Sequence, residues 1–384
     1  MAEKINSVPY SPSEAMRLAI AEAKKGHGWV SPNPVVGCVI LDGQGRLLST
    51  GYHKKIGGPH AEVEALQSIS EPARLKGAHL FVTLEPCAHF GRTPPCAEAL
   101  AKLPLKEVTY GLLDPNPKVS GRGAERIRAA GIKCSSWSEF SREHSREIEA
   151  ELNELCEAFL YNQRQQKTFV ALKVATSLDG YLGLKSGESK WITGEPARQM
   201  GQELRAQYDA VLIGKNTFLE DDPSLNIRLP GFEKHQNKVV LIDPKGEGIS
   251  KLVQSNLAKN RDLNKIFLAT QVGDAIEGGP QIVKLKADSA GKIDLAQLLE
   301  LLWQNEIKSV FVEGGAGTFS GFLEKKLFQR LHLFMAPNLI GGAHGRAWTE
   351  SFGSERLAER LEFGEAKPLQ VGRDLYLSLK PTKD

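Results

Sequence analysis

The triplet His60-Ala61-Glu62, followed by Pro86-Cys87 and then Cys96, constrains this chain more than any other feature, because three distant points must meet around one ion. One imidazole and two thiolates supply three ligands. They leave the fourth corner of a tetrahedral zinc open to water, the coordination of a catalytic site; a structural site is closed by a fourth side chain. Glu62 lies two residues from the imidazole. It is placed to reach the activated water without being a ligand and to shuttle its proton to a leaving amine. A lone histidine or cysteine is more often a core residue. The combination with Glu62 and a Pro-Cys pair, each beside a helix start, outweighs that reading.

The rest of the first half tells where these residues sit. Apolar residues at helical spacing over Ser13 to Lys25 predict a helix ending at Gly26. Val35 to Leu41 reads as a buried strand, turned by Asp42-Gly43 into a second from Arg46 to Tyr52. His60 opens a helix through Ile69. His79 to Leu84 is a strand feeding the Glu85-Pro86-Cys87 turn, and Pro95-Cys96 opens a helix through Leu103. Glu107 to Leu112 is a strand and Gly123 to Ala130 a short helix. Strands alternating with helices imply a layered α/β domain with all three ligands at or beside strand-to-helix junctions.

A charged, amphipathic helical stretch, Trp137 to Gln166, connects this half to the next and is expected to dock on its own chain. The second half begins with a strand, Phe169 to Ala175. Further strands are expected over Ala210 to Ile213, Lys238 to Ile242, Lys265 to Ala269 and Lys308 to Val312, with a helix over Gln199 to Ala206. Thr217 to Arg228 reads as a polar loop. The last strand runs into Glu313-Gly314-Gly315-Ala316-Gly317-Thr318 before an apolar helix from Phe319. Such a turn offers backbone N–H groups and a helix N-terminus to a phosphate, although its spacing is not Gly-x-Gly-x-x-Gly and a plain tight turn reads equally well.

Composition removes several function classes. The 384 residues suffice for two cores. A net charge of +3 with no basic run gives no footprint for nucleic acid, which disfavours a nucleic-acid-editing deaminase. No apolar run approaches membrane length, and Met1 to Glu14 has no apolar signal core. The five cysteines are too few for a disulfide framework, so a cytoplasmic protein is expected.

The His-x-Glu and Pro-Cys pattern is that of zinc nucleobase deaminases, except that eight residues separate Cys87 from Cys96 where two are usual. The motifs Asn33-Pro34-Val35-Val36-Gly37, Gly51-Tyr52-His53, Gly58-Pro59-His60-Ala61-Glu62, Thr83-Leu84-Glu85-Pro86-Cys87 and the long loop Gly91-Arg92-Thr93-Pro94-Pro95-Cys96 resemble the pyrimidine deaminase domain of bacterial riboflavin biosynthesis. The second half resembles the matching reductase domain through Lys173 to Gly180, Ser189 to Thr193, Thr217, Asp221 to Leu225, Arg228 and Val312 to Gly315.

The resemblance implies a bifunctional α/β enzyme. A cytidine-deaminase-like three-layer domain (1–150) would precede a helical linker (151–167) and a dihydrofolate-reductase-like domain (168–384). It implies zinc on His60, Cys87 and Cys96, Glu62 as the catalytic residue, and Asn33 and His53 on the pyrimidine ring, with Arg92 near ribose or phosphate. It implies NADPH at Thr176, Trp191, Thr217, Asp221 and the run Gly315, Ala316, Gly317, Thr318, Phe319, Ser320 and Gly321. It places substrate at Ser189, Arg205, Leu225, Arg228 and Glu313, with the role of Lys173 open. The expected partners are small phosphorylated pyrimidines and further copies of the chain in a homo-oligomer, with neither nucleic acid nor membrane.

Overall fold

The computed structural model describes residues 8–88, 95–116, 120–140, 145–274, 277–288 and 291–382. The chain divides into two compact units, Met1–Gln166 and Lys167–Asp384.

In the first unit, helix α1 (Pro12–Lys24) starts on a capping box. The Ser11 hydroxyl accepts from the Glu14 N–H at 3.3 Å, and the Ser11 N–H donates to the Glu14 carboxylate at 2.8 Å. The elements that follow are β1 (Gly37–Leu41), β2 (Leu47–Tyr52), α2 (Ala61–Gln67), β3 (His79–Leu84), α3 (Cys96–Leu100), β4 (Glu107–Leu112), α4 (Arg122–Ala129), β5 (Lys133–Ser136), α5 (Trp137–Phe140), α6 (Ser145–Leu155) and α7 (Glu157–Gln165). The sheet order is β2-β1-β3-β4-β5. Strands β3, β4 and β5 run parallel, and β1 is antiparallel to both of its neighbours.

Strand β1 alternates between two cores. Cys38 and Ile40 pack with Ala61, Ala65, Ala97, Leu100 and Ile127 of α2, α3 and α4. Val39 and Leu41 face Met16, Ile20 and Leu152 of α1 and α6. A strand buried on both faces reads as a continuous apolar run, and the result is the expected three-layer sandwich.

Among the described residues, the stretch from Trp137 holds three helical segments, and the last two are separated at Cys156. They pack within the first unit: Ile148 and Leu152 are fully buried, and Leu155 lies against Ala23, Val30 and Val35. Of the stretch expected to link the domains, residues 151–166 fall within the first compact unit and Lys167 opens the second.

The second unit contains β6 (Phe169–Ser177), β7 (Tyr181–Leu184), α8 (Glu195–Arg205), β8 (Ala210–Gly214), α9 (Lys215–Asp221), β9 (Lys238–Ile242), α10 (Ile249–Leu252), α11 (Asn256–Lys259), β10 (Ile266–Thr270), β11 (Gln281–Lys284), α12 (Leu295–Gln304), β12 (Ser309–Val312), α13 (Ala316–Glu324), β13 (Arg330–Ala336), β14 (Gly345–Ala347), β15 (Leu369–Val371) and β16 (Asp374–Leu379). Nine strands form one sheet in the order β11-β10-β9-β8-β12-β6-β13-β16-β15. It is parallel from β11 to β13 and closes with antiparallel β16 and β15. Clefts in such sheets open at the carboxyl ends of the parallel strands.

Two expectations change here. The polar stretch after Thr217 is not a loop throughout, because Lys215–Asp221 is helical and ends with Asp222 in the left-handed region at φ 39°. Pro223 follows at once and disfavours a further helical residue. The helix expected from Phe319 starts earlier, at Ala316.

Candidate functional site

Each candidate metal-binding side chain is delivered by a junction. His60 is the N-cap of α2, Cys87 follows the end of β3, and Cys96 is the first residue of α3. Close approach fixes the first of these: a Cβ on Gly51 of β2 would lie 2.4 Å from the Ala61 carbonyl, so only glycine lets the first turn of α2 press onto the sheet. Glu85 fixes the second. Its carboxylate accepts N–H groups from Gly121, Gly123 and Ala124 at 3.0, 3.0 and 3.2 Å, which pins the Pro86-Cys87 turn to the start of α4.

The ligand atoms of His60, Cys87 and Cys96 all lie within 4.8 Å of one another. His60 Nδ1 is 3.6 Å from Cys87 Sγ and 3.3 Å from Cys96 Sγ. Tetrahedral zinc with bonds of about 2.3 Å to sulfur and about 2.0 Å to nitrogen separates N and S by about 3.5 Å, so the donor set fits that ion. A fourth ligand from His, Cys, Asp or Glu is not grouped with them among the described residues. Glu62 is 4% exposed and remains outside the ligand set. Burial pushes its pKa up, as does the nearby Cys87. Cys87 Sγ also accepts the Cys96 N–H at 3.2 Å.

The other expected pyrimidine contacts form a chain. His53 Nδ1 lies 2.9 Å from the Pro59 carbonyl, so it carries the proton, and Nε2 is the acceptor 3.4 Å from the Asn33 amide. Burial lowers the His53 pKa. Both ring nitrogens of His53 thus have protein partners, and one of them is the Asn33 amide. His89, Gly91, Arg92 and Pro94 lie outside the described residues.

In the second unit two cavities flank the Glu313–Phe319 segment. One, of about 320 Å³, is lined by Lys173, Ser189, Trp191, Asp221, Arg228 and Glu313, with Arg205 and Phe319. The other, of about 340 Å³, is lined by Thr217, Gly315, Ala316, Gly317, Thr318 and Gly321. The glycine-rich turn has a packing role beside any phosphate role. A Cβ on Gly214 would lie 2.5 Å from Thr318 Oγ1, and one on Gly314 would lie 2.7 Å from Thr318 Cβ, so Thr318 fits between the ends of β8 and β12 only because both are glycine. Thr318 and Phe319 donate their N–H groups to the Gly315 carbonyl, which leaves Ala316 and Gly317 as open donors of the first turn.

Three expected residues line neither cavity. Thr176 and Leu225 are buried, and the Ser320 hydroxyl accepts from the N–H groups of Glu350 and Ser351 at 2.8 and 3.3 Å. Trp191 and Asp221, expected with the cofactor, lie among the substrate candidates.

Arg205 departs most from expectation. Its guanidinium forms a bidentate pair with Glu313 (Nε–Oε1 2.6 Å, Nη2–Oε2 3.0 Å), while Nη1 donates to the Asn226 carbonyl at 2.6 Å. Those three N–H groups go to protein acceptors, and the pair holds the Glu313 carboxylate in place beside the cavity that Arg205 also lines. Arg228, which also lines this cavity, is exposed and forms no ion pair within 4 Å among the described residues. Burial alone would raise the Glu313 pKa; Arg205, then Lys173, outweigh it and hold the carboxyl below its ordinary value.

Sequence reasoning passed over Arg198, whose guanidinium lies 4.4 Å from the Trp191 ring centre, and Gln202, which accepts the Arg228 N–H at 3.0 Å. Both precede Arg205 at helical spacing on α8, and that periodicity was the available signal.

Comparison with known proteins covers both units. Residues 10–112 match the model of the cytidine and deoxycytidylate deaminase zinc-binding region, and residues 168–377 match the RibD C-terminal domain. The chain is 36% identical to the riboflavin biosynthesis protein RibD of Aquifex aeolicus over 369 residues, 95% of this chain and 97% of that one. It is 35% identical to RibD of Escherichia coli over 379 residues, 95% and 98% of the two chains. Among solved structures it is similar to Acinetobacter baumannii RibD (35% identity, TM-score 0.79) and to a diaminohydroxyphosphoribosylaminopyrimidine deaminase/5-amino-6-(5-phosphoribosylamino)uracil reductase of Thermotoga maritima (32% identity, TM-score 0.80), each over 96% of this chain and 98% of the other.

Proposed function

The chain belongs to the RibD family of riboflavin biosynthesis proteins, and from that premise we propose that its two units catalyse successive steps on one phosphorylated pyrimidine. The first unit hydrolyses the exocyclic amine of 2,5-diamino-6-ribosylamino-4(3H)-pyrimidinone 5′-phosphate. The second reduces the ribosyl chain of the product to ribityl with NADPH, giving 5-amino-6-(ribitylamino)uracil 5′-phosphate. The observation that carries this reading is the convergence of His60, Cys87 and Cys96 with a buried carboxylate that is not a ligand.

Zinc held by these three side chains supplies the Lewis acidity that makes water a nucleophile near neutral pH. Glu62 takes the proton of the attacking water as the C–O bond forms. It returns that proton to the nitrogen as the C–N bond breaks and ammonia leaves. Asn33, held by His53, fixes the ring against rotation.

In the second unit NADPH supplies the hydride. The start of α13 receives its phosphates. Glu313, locked by Arg205, keeps one lone pair on each oxygen for a sugar hydroxyl or ring nitrogen, and Arg228 binds the 5′-phosphate. Self-association into a homo-oligomer and a cytoplasmic location complete the proposal. Among the described residues no helix is long and apolar enough to cross a membrane.

Mass spectrometry of products tests the proposal. Without NADPH the substrate should exchange one amine for oxygen, and with NADPH the product should gain two further hydrogens. An unchanged substrate in the presence of the zinc-loaded chain contradicts it.

A further inference from the structure

We propose that Lys245 and Lys292 read the 2′-phosphate that distinguishes NADPH from NADH. The inference rests on the reading of the second unit as an NADPH-dependent reductase and assigns a part of the cofactor that the glycine-rich turn does not read.

Five charged side chains line the cavity of about 340 Å³: Lys215, Lys245, Lys292, Arg346 and Glu350. Two of its cations are already neutralised. Lys215 Nζ is 2.7 Å from Glu247 Oε2, and Arg346 Nη1 is 3.0 Å from Glu220 Oε2. Glu350 stands at the first turn of α13, its Oε2 3.0 Å from where a Cβ on Gly317 would be. Lys245 and Lys292 are exposed. Lys245 is near enough to Glu247 to help hold that carboxyl below its ordinary value, but the close ion pair of Glu247 is with Lys215.

The backbone under each lysine is fixed. Lys245 sits in the turn after β9, where the fully buried Asp243 accepts the N–H groups of Glu247 and Gly248 at 3.1 and 2.6 Å. Gly246 closes the turn at φ 70°. Lys292 sits in a second turn, where its N–H donates to Asp288 Oδ1 at 2.9 Å and its carbonyl accepts the Asp288 N–H at 2.7 Å. Gln271 ties the turns together. Its backbone N–H donates to the Pro244 carbonyl at 3.0 Å, and its side-chain amide donates to the Gly291 carbonyl at 3.2 Å. Two cations are thereby held at one end of the cavity by a polar frame.

Their position suits the 2′-phosphate better than the diphosphate. Strand order places β9 two strands from β12, and adjacent strands are spaced about 4.8 Å, so the turn after β9 is roughly 10 Å from the Glu313 end of the cleft. A dinucleotide whose reactive ring lies by Glu313 and whose diphosphate lies at α13 carries its adenosine ribose toward the two lysines.

Fluorescence titration of NADPH and NADH on the full chain decides the matter without turnover. Lys245→Ala and Lys292→Ala should each weaken NADPH about 3- to 10-fold, the range for a charge-assisted contact at an exposed site, and leave NADH within about 2-fold. The double variant should bind the two nucleotides nearly equally. Lys245→Arg should retain the preference, and 2′,5′-ADP should compete with NADPH better than 5′-ADP on the wild type but not on the double variant. Equal losses for NADPH and NADH would move the lysines to the shared diphosphate and overturn the proposal. A double variant that keeps the wild-type preference would overturn it as well. Wild-type chain that binds neither nucleotide would instead sink the reductase reading on which the proposal stands.

Discussion

Replacing Arg205 with methionine discriminates a positioning role from direct substrate binding. The side chains of Arg205 and Glu313 are only 10% and 14% exposed, and the guanidinium makes three short contacts with the Glu313 carboxylate and the Asn226 carbonyl. Removing one member of such a pair strands the other charge in a poorly solvated site, at a cost of about 3–5 kcal/mol. The double variant Arg205→Met/Glu313→Leu removes both charges and should recover most of that stability. Urea unfolding, followed by loss of NADPH binding, measures both.

The pH dependence has a definite sign. Glu313 is held below the ordinary carboxylate value, so its contribution is present above that value and is lost as pH falls through the depressed folded value. The penalty of Arg205→Met should therefore shrink toward acid pH, where Glu313 becomes neutral. A cost under about 1 kcal/mol, combined with a substrate KM raised ten-fold or more, would refute the argument and return Arg205 to the substrate phosphate.

The remaining predictions concern the first unit. Glu62→Gln should keep its zinc and lose deamination by roughly 10²-fold or more, which metal analysis beside a rate assay would show; normal turnover by the zinc-loaded variant removes Glu62 from the mechanism. Cys87→Ser and Cys96→Ser should lower bound zinc, whereas Cys38, Cys134 and Cys156, which lie outside the ligand cluster, should be replaceable by alanine without metal loss. Zinc loss on replacing Cys134 but not Cys96 would contradict the ligand assignment.

The metal cluster was legible in the sequence because its residue types are chemically demanding and each sits beside a helix start. Strand β3 and strand β4 were legible to the residue, being apolar runs bounded by turn residues. The carboxyl-terminal strands were not. Arg330 and His332 interrupt β13, yet both are buried: Arg330 Nη1 donates to Ser378 Oγ at 2.8 Å, and His332 bridges Tyr208 and Tyr376 at 2.9 and 2.8 Å. Polar residues satisfied by distant partners look like loop to any local pattern. The same distance hid the Arg205–Glu313 pair, whose members are 108 residues apart. Two guanidiniums suited to a phosphate were visible, but only the fold tells which one is already occupied. Helix α12, Leu295–Gln304, carries its apolar pattern locally, with Leu298, Leu299 and Leu302 buried.

The central claim is that one chain carries a zinc-dependent deaminase and a separate nicotinamide-dependent reductase, with every zinc ligand in the first compact unit and every proposed cofactor contact in the second. Chelation tests it most directly. After zinc is stripped and verified absent by metal analysis, the chain should no longer deaminate the diaminopyrimidine phosphate but should still reduce the deaminated intermediate with NADPH, and added zinc should restore the first activity. Reduction that disappears with the zinc, or deamination that survives its removal, would contradict the account.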